Sequence, residues 1–326
     1  MTNQPLVSVL IPSYNHEKFI QKAIKSVINQ TYENLELIIV DDGSSDLTFQ
    51  KMNEMKEECE RRFKRVHFET KENEGVCATV NRLIELAKGE YFYEMASDDL
   101  AKENIVEKEV NFLINNPKYA VAVGNSEFIN MEDKIAYWDE NKNLVYDKNK
   151  AKYLTFVDFL KTQRPYIDFN SEEFGTYSSF TFGNYIPNGF TVRKEVFEKI
   201  GKYTKEAPLE DLWFMLQVSK YYKIKYLDEI LFQYRCHETN NISNTEKMYT
   251  MFKKVVEYEK NVLKNINPNE VLPSVKEFLK DGYCNKIKGK KGIFEIMTYK
   301  NYEYKFKVLK IFNVKVLKLK TKLIKF

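Results

Sequence analysis

The sequence predicts an α/β protein with a mostly parallel central sheet flanked by helices, on three observations. Short β-branched runs alternate with amphipathic helical stretches through the first 240 residues. Aspartates and glycines collect just past the ends of those runs, where an open parallel sheet gathers its ligands. A chain of 326 residues with 43% hydrophobic and 14% aromatic residues can bury the core such a sheet needs.

The first strand is LVSVLIP, residues 6–12, an apolar run closed by a proline. Residues 16–30 follow with Phe19, Ile20, Ala23, Ile24, Val27 and Ile28 at helical spacing. LELIIV, residues 35–40, is a second strand, Asp41 to Asp46 a turn, and 47–63 a lysine- and glutamate-rich amphipathic helix. A short strand at 65–69, a helix at 75–88 and a strand at 90–96 repeat the pattern. After a helix at 102–115 and a strand at 119–124, regularity fades through 136–180, which predicts long loops beside a binding site and a short helix near 156–161. Helices near 194–200 and from Glu210-Asp211, then a strand near 224–234, complete a first domain placed at 1–240. Helical stretches at 245–265 and 271–285 make a helical extension over 241–299, and 300–326 is a basic amphipathic tail.

The net charge of +4 is unevenly spread, because residues 300–326 hold nine lysines and one glutamate, leaving −4 for the rest. The tail interleaves its lysines with Phe306, Leu309, Ile311, Phe312, Leu317, Leu319, Leu323 and Ile324, a composition suited to an anionic membrane surface. A packed hairpin turning at Asn313, its lysines solvated, accounts for it equally well. The acidic body and the lack of a nucleic-acid motif argue against a nucleic-acid partner. The N-terminus lacks a leader-like pattern and no run reaches a membrane span, so a cytoplasmic location is expected, peripheral to the inner face of the membrane. Cys59, Cys77, Cys236 and Cys284 lack metal-ligand spacing and imply no disulfide framework.

Three acidic groups stand out: Asp41-Asp42-Gly43-Ser44-Ser45-Asp46, Ser97-Asp98-Asp99 and Glu210-Asp211. Each alone has a plain structural reading as a turn, an N-cap or a favourable charge at a helix start. Taken together they are more telling, since Asp41, Asp42, Asp98 and Asp99 all follow strand ends and should share one crevice. Two adjacent carboxylates on a run headed for the interior are costly without compensation.

In their order along the chain, Val7 to Asn15, Leu37 to Asp46, Asn73 to Asn81, Ala96 to Asp99, Asn188-Gly189, Glu210-Asp211 and Tyr234 to His237 resemble the motifs of the family 2 glycosyltransferases. These are inverting enzymes with the GT-A nucleotide-sugar-binding fold, and the resemblance covers roughly residues 5 to 240. It implies nucleotide contacts from Pro12, Ser13, Tyr14, Asn15, Asp41, Asp42, Asn73, Gly75, Asn81, Ser97 and Asp98, with Asp41 favoured for a uracil base. It implies Mn²⁺ or Mg²⁺ held by Asp99, the favoured direct ligand, with Asp98 and His237. Asp211 corresponds to the general base, Glu210 to its neighbour in the ED motif, and Asn188, Gly189 and Trp213 to the acceptor side. For Trp213, packing in the core is the favoured reading, and His16 and His67 are given no role.

The chain departs from the family pattern at Ala96, where relatives carry an aspartate, and at Thr79-Val80, where a basic residue is usual. The activity implied is metal-dependent inverting hexosyl transfer from a nucleotide-sugar, a UDP-sugar by the uracil pattern, to a glycan or lipid-linked acceptor. The composition fits a low-GC bacterium, and hence a surface-glycan, capsule or lipooligosaccharide pathway by analogy. An inactive nucleotide- or glycan-binding protein of the same fold is the alternative.

Overall fold

The computed structural model describes residues 4–163, 167–172, 174–181, 183–237, 245–281, 283–287, 294–300, 304–311 and 314–322. The first half alternates as predicted: β1 (Val7–Ser13), α1 (Ile20–Ile28), β2 (Leu35–Asp41), α2 (Thr48–Glu54), α3 (Lys56–Arg62), β3 (Val66–Thr70), α4 (Val76–Leu86) and β4 (Tyr91–Glu94). The single helix expected over 47–63 is two, parted at Met55. Then come β5 (Leu100–Ala101), α5 (Ile105–Asn115), β6 (Tyr119–Ile129), β7 (Ile135–Trp138), β8 (Leu144–Val145), α6 (Phe156–Gln163) and α7 (Tyr177–Phe180). β9 (Phe190–Arg193), α8 (Glu195–Ile200), α9 (Glu210–Tyr221) and β10 (Lys223–Arg235) follow.

The strands of the main sheet run β3-β2-β1-β4-β9-β6-β10-β5, with β7 and β8 attached beyond β6. β3, β2, β1 and β4 are mutually parallel, as are β6 and β10, while β9 lies antiparallel between β4 and β6. β9 has no counterpart in the sequence reading. Its four residues, FTVR, are too few to show a period, and the sheet supplies the partners that make them a strand. β6 runs five residues past its predicted end at 124, carrying the sheet into the irregular region.

Successive residues of each strand face opposite sides, and each side has its own core. Leu10, Ile38, Phe92, Val121 and Val123 pack with Val80, Leu83 and Phe214, whereas Val9, Ile11, Leu37, Ile39 and Tyr93 pack with Ile20, Ile24, Val106 and Val110. At the amino-terminal edge the fully buried Glu36 accepts from Ser8 Oγ (2.5 Å), Lys88 N (2.6 Å), Gly89 N (3.1 Å) and Arg65 Nη1 (2.7 Å). Burial drives its carboxyl upward, but Ser8, the Lys88 amide and Arg65 outweigh that and hold it below the usual range.

Beyond the sheet, α10 (Thr245–Asn265) and α11 (Pro273–Asp281) agree with the helical reading. The helical extension does not continue to 299. β11 (Tyr283–Ile287), β12 (Phe294–Lys300), β13 (Tyr304–Ile311) and β14 (Val314–Lys322) form a separate antiparallel four-stranded sheet. The reason is local: Gly282, Gly289 and Gly292 punctuate aromatic and β-branched runs that suit strands. The tail beyond 300 pairs as β13 and β14, and Phe312, Asn313, Leu323 and Ile324 lie outside the described residues.

α10 is bolted to α9 by a dry polar cluster. Lys220 Nζ meets Glu259 Oε1 at 2.7 Å and Gln217 Oε1 at 2.8 Å. Gln217 Nε2 and the Tyr177 hydroxyl complete the glutamate's shell, each at 2.8 Å. Lys220 and Glu259 are both fully buried, so each depends on the other.

Candidate active site

The carboxyl-terminal edge of the parallel strands gathers the acidic motifs. In register there lie Ser13, Asp41 and Thr70, on β1, β2 and β3. Buried Asp41 accepts from Thr70 Oγ1 (2.8 Å), Ser44 N (3.1 Å) and the Ser44 hydroxyl. Asp42 accepts from Glu74 N (3.0 Å), Gly75 N (2.9 Å) and the Lys71 ammonium, so its carboxylate clamps the loop that carries Asn73 and Gly75. Burial acts to raise Asp42, but Lys71 and the Glu74 amide win and hold it low. Gly43 is required between them: its φ is +72°, and a Cβ there would sit 2.9 Å from Asn73 N and Lys71 O.

Opposite this loop, Asn15 adopts φ +53° and is laced across to it. Its amide donates to Ser44 Oγ at 2.8 Å and its side chain accepts from Ser45 N at 2.9 Å. Tyr14 is exposed beside it, and Ser13 Oγ is buried with no hydrogen-bond partner. Asn81, expected near the nucleotide, instead brackets the Tyr203 backbone with two 2.9 Å hydrogen bonds. These two bonds fix the loop that leads into α9.

Asp98 and Asp99 lie side by side in unlike surroundings. Asp98 meets His237 Nε2 at 2.9 Å and His16 Nε2 at 3.7 Å, and His16 Nδ1 is 2.7 Å from Ser97 Oγ. The ligand-capable atoms of His16, Asp98 and His237 lie within 4.8 Å of one another. Burial acts to raise the Asp98 carboxyl, but His237 and His16 hold it below its ordinary value, while burial keeps His16 low and favours the neutral, ligating imidazole. Asp99, favoured from sequence as the direct cation ligand, is buried and turned elsewhere. It accepts from Arg235 N at 2.8 Å and faces Asn188 Nδ2 at 3.5 Å. Burial, reinforced by Asp98, raises it well above the carboxylate range.

Arg235 is the strut of this loop. Fully buried, it donates from Nε to Asp98 O (2.6 Å) and from Nη1 to Asn130 O (2.8 Å), meets Asp133 at 2.5 Å and lies over Phe19 at 5.0 Å.

Asp211, assigned from sequence as the base, is exposed at the first turn of α9. Asn184 Nδ2 holds one oxygen at 2.9 Å, and Leu212 N meets the other at 2.6 Å. Glu210 beside it is pushed up to about 8, by burial first and by the Asp211 charge second. Trp213, placed on the acceptor side by the resemblance but favoured as core, is only 3% exposed with Tyr203 packed 5.0 Å away, so it packs as core and offers no open ring face to a sugar. Gly189 has φ +73°, and a Cβ there would strike Phe232 at 2.4 Å, which makes it a close-packing glycine. His16, Lys71, Arg235 and Asn184 belong to the site although sequence reasoning gave none of them a role. Two of them were within reach: His16 directly follows the Pro12–Asn15 motif, and Arg235 lies inside the YRxH segment.

A family model described as "Glycosyl transferase family 2" matches residues 8–201. The chain belongs to glycosyl transferase family 2. An uncharacterized glycosyltransferase of Haemophilus influenzae is 42% identical over 116 residues, covering 36% of this chain and 35% of that protein. TuaG of Bacillus subtilis, named for teichuronic acid biosynthesis, is 33% identical over 156 residues, 44% of this chain and 61% of its own length. The chain thus spans between about a third and three fifths of these relatives. In structure it resembles the mannosyltransferase PcManGT from Pyrobaculum calidifontis in complex with GDP-Man and Mn²⁺, with TM-score 0.56, 15% identity and coverage of 86% and 69%. It also resembles S. aureus TarS in complex with UDP-GlcNAc, with TM-score 0.54, 17% identity and coverage of 83% and 69%. The fold of this family 2 member is therefore GT-A, as the motif order implied.

Proposed function

We propose that this family 2 protein is an inverting hexosyltransferase that moves a sugar from a nucleotide-sugar, a UDP-sugar by the Asp41 pattern, to a hydroxyl of a glycan or lipid-linked acceptor. The observation that carries the reading is the convergence of His16, Asp98 and His237 on one point of the sheet edge that also bears Asp41 and Asp42. Two imidazoles and a carboxylate fit a divalent cation, and this donor set suits Mn²⁺ better than Mg²⁺, which prefers oxygen. A cation bound there would stabilise the negative charge of the leaving diphosphate. Asp98, rather than Asp99, is its carboxylate ligand in this reading, with Asp99 holding the loop through Arg235 and Asn188.

Asp41 and Asp42 fix the loops that line the nucleotide subsite. Asp211, oriented by Asn184, takes the proton of the acceptor hydroxyl as that oxygen attacks the anomeric carbon from the face opposite the diphosphate, so the centre inverts. Work in bacterial surface-glycan synthesis accords with the name of the Bacillus relative. Among the described residues no helix is long and apolar enough to cross a membrane, and the lysine-rich 300–326 stretch is assigned to an anionic membrane surface. Changing Lys315, Lys318, Lys320 and Lys322 to Gln should release the full chain from anionic vesicles in sedimentation; equal recovery with the parent removes the membrane clause.

The reading is tested by calorimetric titration of UDP and by UDP release from a panel of UDP-sugars, with Mn²⁺, with Mg²⁺ and with EDTA. Mn²⁺ should tighten UDP binding at least about tenfold in the parent and leave Asp98→Asn unaffected. Equal metal dependence in the two proteins would overturn the ligand assignment, and absence of UDP binding in the parent would overturn the function.

A further inference from the structure

Glu94 ends β4, four residues before Asp98, and has no part in the site so far. Strand alternation puts it on the same side of the sheet as Phe92, which stacks on Phe197 at 5.6 Å, and Phe197 in turn meets Phe214 of α9 at 5.5 Å. In register, Glu94 stands between Leu10 of β1 and Phe190 of β9. Its side chain therefore sits where the cation-site strand and the helix of the proposed base come together. Glu210 opens that helix and acts electrostatically on Glu94, and the Tyr203 hydroxyl feels both.

Glu94 leaves a hydrogen-bonding position unfilled. Its Oε1 is buried with no hydrogen-bond partner, although the residue as a whole keeps part of its surface accessible. The indole Nε1 of Trp213, whose ring packs on Tyr203, is likewise buried and unpartnered. Unpaired buried polar atoms are uncommon and need an explanation, since each costs about 1–3 kcal/mol. Trp213 is closed off from solvent, but Glu94 keeps part of its surface accessible, and its bare oxygen is explained by a ligand that brings its own hydroxyl group.

We propose that Glu94 is a further substrate-contacting residue, hydrogen-bonding a hydroxyl of the sugar that the donor carries. This rests on the nucleotide-sugar reading above. Burial, with Glu210 adding to it, pushes the Glu94 carboxyl up to about 8, so at neutral pH it is mainly the uncharged acid. An uncharged carboxyl both donates and accepts, which suits a sugar hydroxyl and adds no negative charge beside the diphosphate. The contact makes Glu94 a determinant of which sugar is accepted, because a buried polar group discriminates strongly against a sugar that fails to pair with it.

The test is calorimetric titration, in Mn²⁺, of UDP and of UDP-glucose, UDP-galactose, UDP-N-acetylglucosamine and UDP-N-acetylgalactosamine. In the parent at least one UDP-sugar should bind about three- to tenfold tighter than UDP, the margin of one hydrogen bond. Glu94→Leu should erase that margin while leaving the Kd for UDP within about twofold, which also shows the variant to be folded. Glu94→Gln, isosteric and uncharged, should retain the margin. An undiminished margin in Glu94→Leu, or a parent that binds no UDP-sugar more tightly than UDP, overturns the inference while the nucleotide site stands. A parent that fails to bind UDP removes the nucleotide-sugar reading and this inference with it.

Discussion

Glu36, near the amino-terminal end of β2, and Glu94, at the carboxyl-terminal end of β4, are enclosed glutamates in one sheet with opposite surroundings. Glu36 receives a hydroxyl, two backbone amides and a guanidinium, and is held as an anion. Glu94 has a buried oxygen with no donor, a second acid nearby and a carboxyl raised to about 8. The same residue type is thus structural where the protein completes its hydrogen bonds and available for chemistry where it does not. The carboxyl ends of the strands repeat the contrast on a smaller scale. Asp41 and Asp42 are braced by Ser44, Thr70, Glu74 and Gly75, so the proposed nucleotide subsite is shaped in advance, whereas Glu94 keeps a buried oxygen without a protein donor.

If the contrast is sound, changes at the two ends should fall on different observables. The largest effect belongs to Asp211→Asn, which should cut turnover by about 10²–10⁴ with UDP affinity unchanged; near-parental turnover would end the base assignment. Glu36→Ala should cost about 2–3 kcal/mol in urea denaturation, through loss of a charge-assisted set of hydrogen bonds, yet leave turnover of the folded fraction intact. Next is a pH effect of opposite sign at the two glutamates. The Glu94 carboxyl lies at about 8 in the folded chain against an ordinary 4.5, so the parent sheds stability as pH rises between those values. Glu94→Gln lacks that loss, and its melting temperature should overtake the parent's progressively from pH 5 to pH 8.5. Glu210, Asp211 and Tyr203 are the titratable neighbours whose own ionisation shapes the curve. Parallel melting curves would show that Glu94 is not held uncharged. Glu36, depressed in the folded state, stabilises above its unfolded value and loses that contribution on acidification. The smallest effect is Asn184→Ala, about a three- to tenfold fall in kcat with KM for the donor unchanged.

The alternation of strand and helix through β4 was legible chiefly because β1 and β2 are apolar, several residues long and followed by polar turns. The aspartates after β2 and β4 could be placed in one crevice for the same reason. Less legible was anything decided by contact between distant segments. Asp98 and Asp99 are neighbours in one motif, and only the return of β10, bringing Arg235 beneath one and His237 onto the other, gives them different tasks. His16 directly follows the Pro12–Asn15 motif, but the partners that give it a task are 81 and 82 residues away. Asn81 lies in a segment that resembles a nucleotide motif, yet its amide is claimed by Tyr203, 122 residues on. The helical stretch read over 271–285 stops at Asp281, and a strand begins at Tyr283, because Gly282 breaks the run there.

The family match ends at residue 201, but the dry Lys220–Glu259 pair ties α9 to a helix that begins more than forty residues later. A chain ending between them would strand the Lys220 ammonium in the interior, at the far end of the helix that begins with the proposed base. For anyone grafting this scaffold onto another protein, the smallest transplantable piece is therefore longer than the family signature suggests. A graft that swaps acceptor loops has to carry α10 along, or replace Lys220 with an apolar residue that needs no counter-ion.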